Sequence, residues 1–340
     1  GSRARRHLFG SSRRQIWQLP GKITPVTSHL DLGRFVQRRQ FRSFEQDLAC
    51  VTYAYGVDVR RFHWLNQSMT AQTFMRALEL RWSAVADELM REELQVPEGA
   101  ATLPFLQEIV RIAEMLRVTL PAVRLVAPSA RGRWPLVTPL GNARNSDDWL
   151  VIDALALAEL APPQRAFLLA QGLGHIQCGH AALFMAHYVS HREHRGHAAL
   201  RLVLRSFSRL AAFSADRAGL LAAGEFAPAV AALARSSESL PSWYPHLADL
   251  PERQRALEEF NQSRVVARVR SSRRFVQDHP SVHELVDQLM HASEPVAVPT
   301  DQTDHPKPNP PPIAAGYEVP ADAWPLARCD QRLTVRLGVL

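Results

Sequence analysis

Apolar residues recur every three or four positions over most of the chain, which is the pattern of amphipathic helices. The clearest stripe predicts a helix at about 70–94 and consists of Phe74, Leu78, Trp82, Val85 and Leu89. Further helices are predicted at about 103–116, 161–185, 198–223, 226–235, 251–277 and 281–292. The one beginning near 161 opens on Pro162-Pro163, and proline is tolerated in a first helical turn.

Strand patterns are fewer and shorter. Residues 122–126 are rich in β-formers, and 134–140 and 149–155 flank a polar, turn-rich loop at 141–148, which predicts a hairpin. The last ten residues alternate apolar and polar positions and predict a terminal strand that could add to a sheet; the apolar positions are Leu333, Val335, Leu337 and Val339. The pattern therefore predicts an α+β fold, mostly helical, with a small antiparallel sheet.

Four regions follow from this pattern. Residues 1–26 predict a basic, flexible tail without apolar periodicity, and 27–97 predict a helical segment that opens on a capping box at Ser28–Asp31. Residues 98–293 carry the remaining helices and the hairpin, so we expect the main domain there. Residues 294–340 are rich in proline and predict an extended strap.

The composition fits an ordinary globular protein. Of the 340 residues, 46% are hydrophobic and 21% are charged, which argues against a disordered or collagen-like chain. No apolar run reaches the roughly 18 residues that a membrane span needs, so we expect a soluble chain. Three widely separated cysteines predict a reducing, cytoplasmic location. The chain begins Gly1-Ser2, typical of a cleaved tag, which leaves open whether an upstream anchor or signal was removed.

The formal net charge is +7, and Lys22 and Lys307 are the only lysines among the 40 basic residues. Arginine-rich stretches lie in the tail, at 34–42 and at 264–274. No zinc-finger or RNA-binding signature accompanies them. They predict solvated faces or a surface for an acidic protein partner, rather than a nucleic-acid site.

The segment 167–184 reads F-L-L-A-Q-G-L-G-H-I-Q-C-G-H-A-A-L-F. It resembles the active-site helix of zincin (gluzincin) zinc metallopeptidases of the CAAX-prenyl-protease and heat-shock-protease family, which show L-x-H-E-L-G-H-I there. A second similarity lies at 213–221, where Asp216 matches the aspartate of the family's E-x-x-A-D segment. A third and weaker one is His279-Pro280. Together they cover about residues 100–293, so the resemblance implies a zincin-like core at 98–293.

The resemblance also identifies positions where the chemistry has been lost. In H-E-x-x-H two histidines one turn apart bind the metal, and the glutamate between them is the general base. Here Gln171 stands at the first histidine position, Gly172 at the base, His175 at the second histidine and Ala212 at the third ligand. One of three ligands survives, so we expect no catalytic residues and no bound cofactor. Asp216 is expected to support the helix through a hydrogen bond or an ion pair, for example with Arg217.

Two other sets of residues could form a metal site in place of the family's ligands. His175 and Cys178 lie three residues apart on one side of the predicted helix and could supply two zinc ligands. His187, His191 and His194 follow at i, i+4 and i+7, a spacing that could bind a metal or respond to pH. The alternatives are a buried structural histidine with a small apolar cysteine, and a solvated helix end. His180 is expected to point away from His175.

The expected function is that of a catalytically inactive metallopeptidase-like protein, a pseudopeptidase that binds a protein or peptide or serves as a scaffold. The former substrate cleft beside 134–140 would accept an extended peptide by strand addition. One alternative is an active, zinc-dependent endopeptidase with non-standard ligands. Another is a structural subunit of a larger assembly. The sequence leaves the partner and the oligomeric state open.

Overall fold

The computed structural model describes residues 50–141, 148–192, 198–238, 240–245, 247–278 and 319–338. These residues belong to a unit that spans Arg42–Leu340. The predicted basic tail, the capping box at Ser28–Asp31, the helix at 281–292 and most of the proline-rich strap lie outside the described residues.

Helices dominate the described residues. They are α1 Gly56–Gln67, α2 Met69–Glu92, α3 Leu103–Leu116, α4 Ala154–Ala158, α5 Pro162–Gln177, α6 Ala181–Arg192, α7 Ala198–Ala223, α8 Phe226–Ser237, α9 Leu250–Asn261, α10 Arg264–Asp278 and α11 Leu326–Leu337, with single 3₁₀ turns at Ala100–Thr102 and Pro128–Ala130. With a small sheet beside them, the fold is α+β and mostly helical, as the sequence predicts.

The sheet has four strands, β1 Leu94–Gln95, β2 Ala122–Val126, β3 Val137–Leu140 and β4 Trp149–Ile152, in the order β1-β2-β4-β3. The predicted hairpin is confirmed, because β3 and β4 pair antiparallel on either side of residues 141–148. The prediction of a purely antiparallel sheet is wrong. Strand β4 lies between β2 and β3 and pairs parallel with β2, so the sheet is mixed.

Strand β3 forms one edge of the sheet, and Pro139 fits there because an edge strand can spare one N–H. All four residues of β3 are nevertheless buried. Residues before β3, together with residues 240, 244 and 247, enclose a space of only about 10 Å³ with Gln171, roughly the volume that one water needs. Trp243 packs against Trp134 at a ring distance of 5.2 Å. The exposed edge that the sequence predicted for strand addition is therefore covered.

The predicted helix at 161–185 is interrupted. Helix α5 ends at Gln177, and α6 begins at Ala181. Gly179 adopts a φ of 77°, which glycine reaches without steric cost. The amide of His180 then donates to the carbonyl of His175 at 2.8 Å. The turn brings the chain back on itself, with consequences for the two histidines described below.

The predicted helix at 251–277 is likewise two helices, α9 and α10. They meet at Ser263, which forms an isolated bridge with Trp324. The amide of Trp324 donates to the carbonyl of Gln262, and the amide of Arg264 donates to the carbonyl of Trp324, both at 2.8 Å. The residues before α11 are thus fixed to the junction between α9 and α10.

The predicted terminal strand is wrong, because these residues form helix α11. Cys329 and Leu333 are buried and Leu337 packs beside them, a spacing of four residues that defines a helix face. Val335, which belongs to the alternating pattern, is 71% exposed. Gly338 ends the helix in the left-handed conformation. The segment contains both an alternating pattern and a helical spacing of four residues, and the helical spacing determines its structure.

Helix α5 lies at the centre of the fold. It packs most extensively against α7 and also against α3, α8 and β3. Every residue from Ala166 to Ile176 is buried. A helix that is buried all round, rather than along one stripe, places the polar residues of its middle turns in the protein interior.

Candidate functional site

Three polar side chains meet on one side of α5. Gln171 donates from Nε2 to Oδ1 of Asp216 on α7 at 2.6 Å. Arg253 of α9 donates from Nη2 to Oδ1 of Asp216 at 2.7 Å and from Nε to Oδ2 at 2.9 Å. All three side chains are buried. We call Gln171, Asp216 and Arg253 the Asp216 cluster.

The Asp216 cluster neutralises its own charge. A two-point contact between guanidinium and carboxylate is among the strongest ion pairs in proteins, and a buried charge requires such a partner. Burial opposes the charged form of Arg253, but Asp216 outweighs it, and the pKa of Arg253 is raised above its ordinary value. The pKa of the neighbouring Tyr244 hydroxyl is also raised, chiefly by burial. Asp216 is therefore ion-paired as expected, but its partner is Arg253 and not Arg217, which binds Asp330 at 2.7 Å.

Position 172, where the resemblance places a general base, is sterically crowded. A Cβ atom on Gly172 would lie 2.6 Å from Cδ1 of Leu150 and 2.6 Å from Cγ1 of Val137. Both contacts are shorter than carbon atoms tolerate, and both neighbours are buried strand residues. The sheet thus packs directly on the helix backbone, and no side chain fits at position 172 without displacing it.

A second set of buried polar groups follows one turn later on α5. Nδ1 of His175 lies 3.1 Å from Nδ1 of His180, and Nε2 of His180 lies 3.3 Å from Oδ2 of Asp58 on α1. Ser214 of α7 donates to the same carboxylate oxygen. We call His175, His180, Asp58 and Ser214 the His175 cluster. The expectation that His180 points away from His175 is wrong, because the turn at Gly179 returns it.

The protonation of this cluster is constrained by its geometry. A hydrogen bond between two imidazole nitrogens needs one of them to accept, so at least one ring is neutral. Burial, then the charges of His180 and Arg253, hold the pKa of His175 well below its ordinary value. Nε2 of His175 is buried and has no hydrogen-bond partner in the described part of the chain. His175 is therefore a neutral imidazole with one unused ring nitrogen.

Cys178 does not contact His175 in the manner of a second ligand. Its Sγ lies 3.0 Å from Sγ of Cys50, and both are free thiols. The contact with Cys50, followed by burial, raises the pKa of Cys178 well above its ordinary value. Tyr53 next to it donates to Oε1 of Gln177 at 2.7 Å. The end of α5 thus holds a pair of thiols.

The histidines of α6 are distributed between interior and surface. His187 is buried, and its Nε2 lies 3.1 Å from Oγ of Ser208 on α7. His191 is half-buried, and its Nε2 lies 3.5 Å from Oγ of Ser242. His194 lies outside the described residues. The described members of this set are therefore each placed beside a serine hydroxyl.

The residues at the family's metal positions do not fit a zinc ion. Gln171 offers its amide N–H to Asp216, Ala212 is a fully buried methyl group on α7, and His175 alone carries a free ring nitrogen. Catalytic zinc sites use about three protein ligands. Within the described residues, no group of three or more His, Cys, Asp or Glu side chains is placed to hold a metal. Arg253 brings a fixed positive charge beside these positions.

Sequence reasoning missed four residues of the two clusters, Arg253, Asp58, His180 and Ser214. Two of them carried a signal. Arg253 precedes Ala256, Leu257 and Phe260 at i+3, i+4 and i+7, so a charge lies on the buried stripe of α9. Asp58 likewise precedes Phe62 at i+4 and Leu65 at i+7, so it lies on the buried stripe of α1. A charged residue within an apolar stripe predicts a buried partner.

In the described part of the chain, no helix is both long and apolar enough to cross a bilayer. Comparisons with protein-family models, with curated proteins and with solved structures find no match to the chain. The chemistry of the two clusters and the sequence resemblance are therefore the features from which a function can be inferred.

Proposed function

We propose that the chain is a catalytically inactive relative of the zinc metallopeptidases, a pseudopeptidase that acts by binding a protein or peptide partner. The Asp216 cluster is the observation that carries this proposal. Beside Gln171, where the resemblance puts a zinc ligand, a buried guanidinium supplies a positive charge and already uses both oxygens of Asp216. A second cation there would be repelled by Arg253 and would find no free carboxylate.

The zincin-like core would comprise residues 98–293. Its support is the order of elements that the resemblance requires: a strand pair beside the motif helix α5, then α7 with Ala212 and Asp216 packed on it. The position of Asp216, four residues after Ala212, brings its carboxylate to Gln171. This is the supporting role that the resemblance assigns to that residue.

Other hydrolytic chemistry has no support in the same region. Gly172 has no side chain that could act as a base, and a larger residue there would have to displace Val137 and Leu150. Ser214, though near two histidines, donates its proton to Asp58 and accepts from the amide of Tyr55 at 3.1 Å. A serine nucleophile needs a histidine that takes its proton, and Ser214 is fully buried. Neither arrangement activates a nucleophile.

Binding would use a surface other than β3, which is covered. A groove of about 620 Å³ opens between α3, α10 and residues 52–53. Its apolar lining includes Met115, Leu221, Val265 and Val269, and two exposed arginines, Arg117 and Arg268, border it. This combination fits a peptide with apolar and acidic side chains, because guanidinium groups bind carboxylates well.

Arg117 supports this assignment in a second way. It ends α3 with a φ of 55°, the only positive φ of a non-glycine residue among the described residues. Glycine is preferred there, and a side chain in this conformation costs on the order of 1 kcal/mol. Arg117 thus borders the groove despite this conformational cost.

Catalytic inactivity is tested by incubating the purified chain with an unfolded protein substrate, with added zinc or with a chelator. We expect no cleavage above background in either condition. The variant Q171H/G172E/A212E, which restores the motif, should remain inactive because position 172 has no room. Chelator-sensitive cleavage by the unaltered chain, lost in His175→Ala, would contradict the proposal in favour of an active metallopeptidase.

The binding function is tested by selecting displayed peptides on the full chain and titrating the best one by calorimetry. We expect acidic, apolar sequences, and at least tenfold weaker binding by Arg117→Glu/Arg268→Glu. Arg76→Glu, on the exposed face of α2, is the matched control and should bind as before. Selected peptides without acidic residues, or equal affinity of both variants, would overturn the assignment of the groove.

A further inference from the structure

Two cysteines that lie 128 residues apart in sequence are brought together at the end of α5. The Sγ atoms of Cys50 and Cys178 are 3.0 Å apart, and both thiols are reduced. A disulfide bond has a length of about 2.05 Å, so the sulfurs need to approach by roughly 1 Å. Cys178 is the C-cap residue of α5, and its amide makes the last helical hydrogen bond, to the carbonyl of Gly174 at 3.0 Å. Such a position can absorb a small shift more easily than a residue within the helix.

We propose that Cys50 and Cys178 are a site of reversible oxidation and form an intramolecular disulfide that fixes residues 50–58 to the end of the motif helix. The proposal does not depend on the pseudopeptidase function. Cys329 is excluded from the pair, because its buried thiol donates to the carbonyl of Glu259 at 3.5 Å.

Exposure decides which sulfur reacts first. Cys178 is partly exposed, whereas Cys50 is 5% exposed. With hydrogen peroxide as oxidant, the Cys178 sulfur attacks one oxygen, the O–O bond breaks, and the thiol proton leaves with the released hydroxide as water. The product is a sulfenic acid. Cys50 then attacks that sulfur, the S–S bond forms, the S–O bond breaks, and a second water leaves. The two sulfurs lose two electrons, and the peroxide gains them.

We expect oxidation of the thiol pair to be slow rather than rapid. Only the thiolate is a good nucleophile, and the pKa of Cys178 is raised by its contact with Cys50 and by burial. We therefore expect formation of the bond to accelerate as pH rises. The neighbouring second thiol should capture the sulfenic acid before it is oxidised further.

The bond would strengthen the attachment of a segment that organises the His175 cluster. Tyr53 binds Gln177, the amide of Tyr55 binds Ser214, and Asp58 lies beside His180. A covalent link at Cys50 restrains the same segment in the unfolded chain, which is how disulfides stabilise proteins. Oxidation should therefore raise the melting temperature, by about 5 °C for a loop of this length in a chain of this size.

The test uses the full chain, reduced, desalted and treated with equimolar hydrogen peroxide. Intact mass should fall by two hydrogen atoms, peptide mapping should identify a Cys50–Cys178 link, and a reductant should reverse both the link and the rise in melting temperature. Cys329→Ser is the matched control and should behave like the unaltered chain, whereas Cys178→Ser should form no internal link. A link that involves Cys329, or oxidation of Cys178 to the sulfinic acid without any link, would overturn the proposal.

Discussion

Two buried polar clusters lie one helical turn apart on α5. One contains a pair of opposite charges, and the other contains a neutral imidazole. The Asp216 cluster keeps its charges and pairs them, with both oxygens of Asp216 bound by Arg253. The His175 cluster holds a neutral imidazole with a lowered pKa and an unused nitrogen. The polar groups of the first cluster bind one another, whereas the second cluster leaves the Nε2 atom of His175 without a partner in the described part of the chain.

This difference is the basis for our proposal that the region binds no zinc. Zinc binding needs several donors that are free at the same time. Both oxygens of Asp216 are bound by Arg253. In the His175 cluster, the Nε2 atoms of His175 and His180 have no hydrogen-bond partner in the described part of the chain, and that of His180 lies 3.3 Å from Asp58. The following changes separate these two behaviours, in order of decreasing effect.

The largest effect is expected from Asp216→Ala. It leaves the guanidinium of Arg253 buried without a counter-charge, and removing one partner of a buried ion pair costs about 3–5 kcal/mol. Urea unfolding followed by circular dichroism measures the loss. The double variant Asp216→Leu/Arg253→Met should recover most of it, because apolar pairs of similar size often replace buried ion pairs without cost. A loss below about 1 kcal/mol for Asp216→Ala would show that the cluster is not the closed ion pair described above.

Gly172→Ala is expected to have the next largest effect. The added methyl group meets Val137 and Leu150 at 2.6 Å, and overpacking of this kind costs about 1–3 kcal/mol. Val137→Ala removes one of the two clashing groups, so the double variant should lose less stability than the sum of the two single changes. Additive losses would mean that the sheet moves aside and that position 172 can accept a side chain.

The pH dependence of the free energy of unfolding tests the state of the His175 cluster. The pKa of His175 is lowered in the folded protein by burial, His180 and Arg253, so below about pH 6.5 the unfolded chain takes up a proton that the folded chain does not. Stability should therefore be constant from pH 7 to 8 and fall as the pH decreases from 6.5 towards 5, by at most about 1.4 kcal/mol per pH unit for this one proton.

His175→Gln should flatten this decrease between pH 6.5 and 5. His63→Gln is the matched control, since His63 is exposed and contacts only the side chain of Gln67 among the hydrogen bonds described, and it should leave the slope unchanged. Chemical denaturation at several pH values gives the slope for each variant. An equal slope in His175→Gln and the unaltered chain would assign the pH sensitivity to another group.

The smallest effect is expected from Arg235→Ala. Arg235 and Glu238 form an ion pair at 2.9 Å whose side chains are 59% and 58% exposed. Exposed pairs contribute little, so the change should cost less than about 0.5 kcal/mol. If Arg235→Ala lowered the free energy of unfolding as much as Asp216→Ala, burial would not be the reason why the ion pair of the Asp216 cluster stabilises the fold.

Much of the fold could be predicted from periodicity alone. The stripes at 103–116 and 198–223 and the β-rich run at 122–126 agree with helices α3 and α7 and strand β2. The errors lie where a short signal was outweighed by its surroundings. Gly179 interrupts what reads as one helix, and the terminal segment follows its Cys329-Leu333-Leu337 spacing rather than the alternation of its neighbours. The parallel pairing of β2 with β4 is a long-range contact that a local pattern does not contain.

The candidate site was predicted in part. The positions Gln171, Gly172, His175 and Ala212 follow from the similarity to a known motif, and an ion pair at Asp216 was expected. Its true partner, Arg253, lies 37 residues further along the chain on another helix, and only tertiary packing brings the two together. The closure of position 172 by Val137 and Leu150 also depends on sheet-to-helix packing that a sequence does not specify.

The zinc content of the full chain at equilibrium distinguishes a closed ion pair at Asp216 from a working metal site. The protein is dialysed without chelator against low micromolar zinc, and the bound metal is quantified by elemental mass spectrometry, alongside His175→Ala. We predict far less than one zinc per chain in both proteins. One zinc per chain in the unaltered protein that is lost in His175→Ala would show that the imidazole does bind a metal beside Arg253, and would contradict the account.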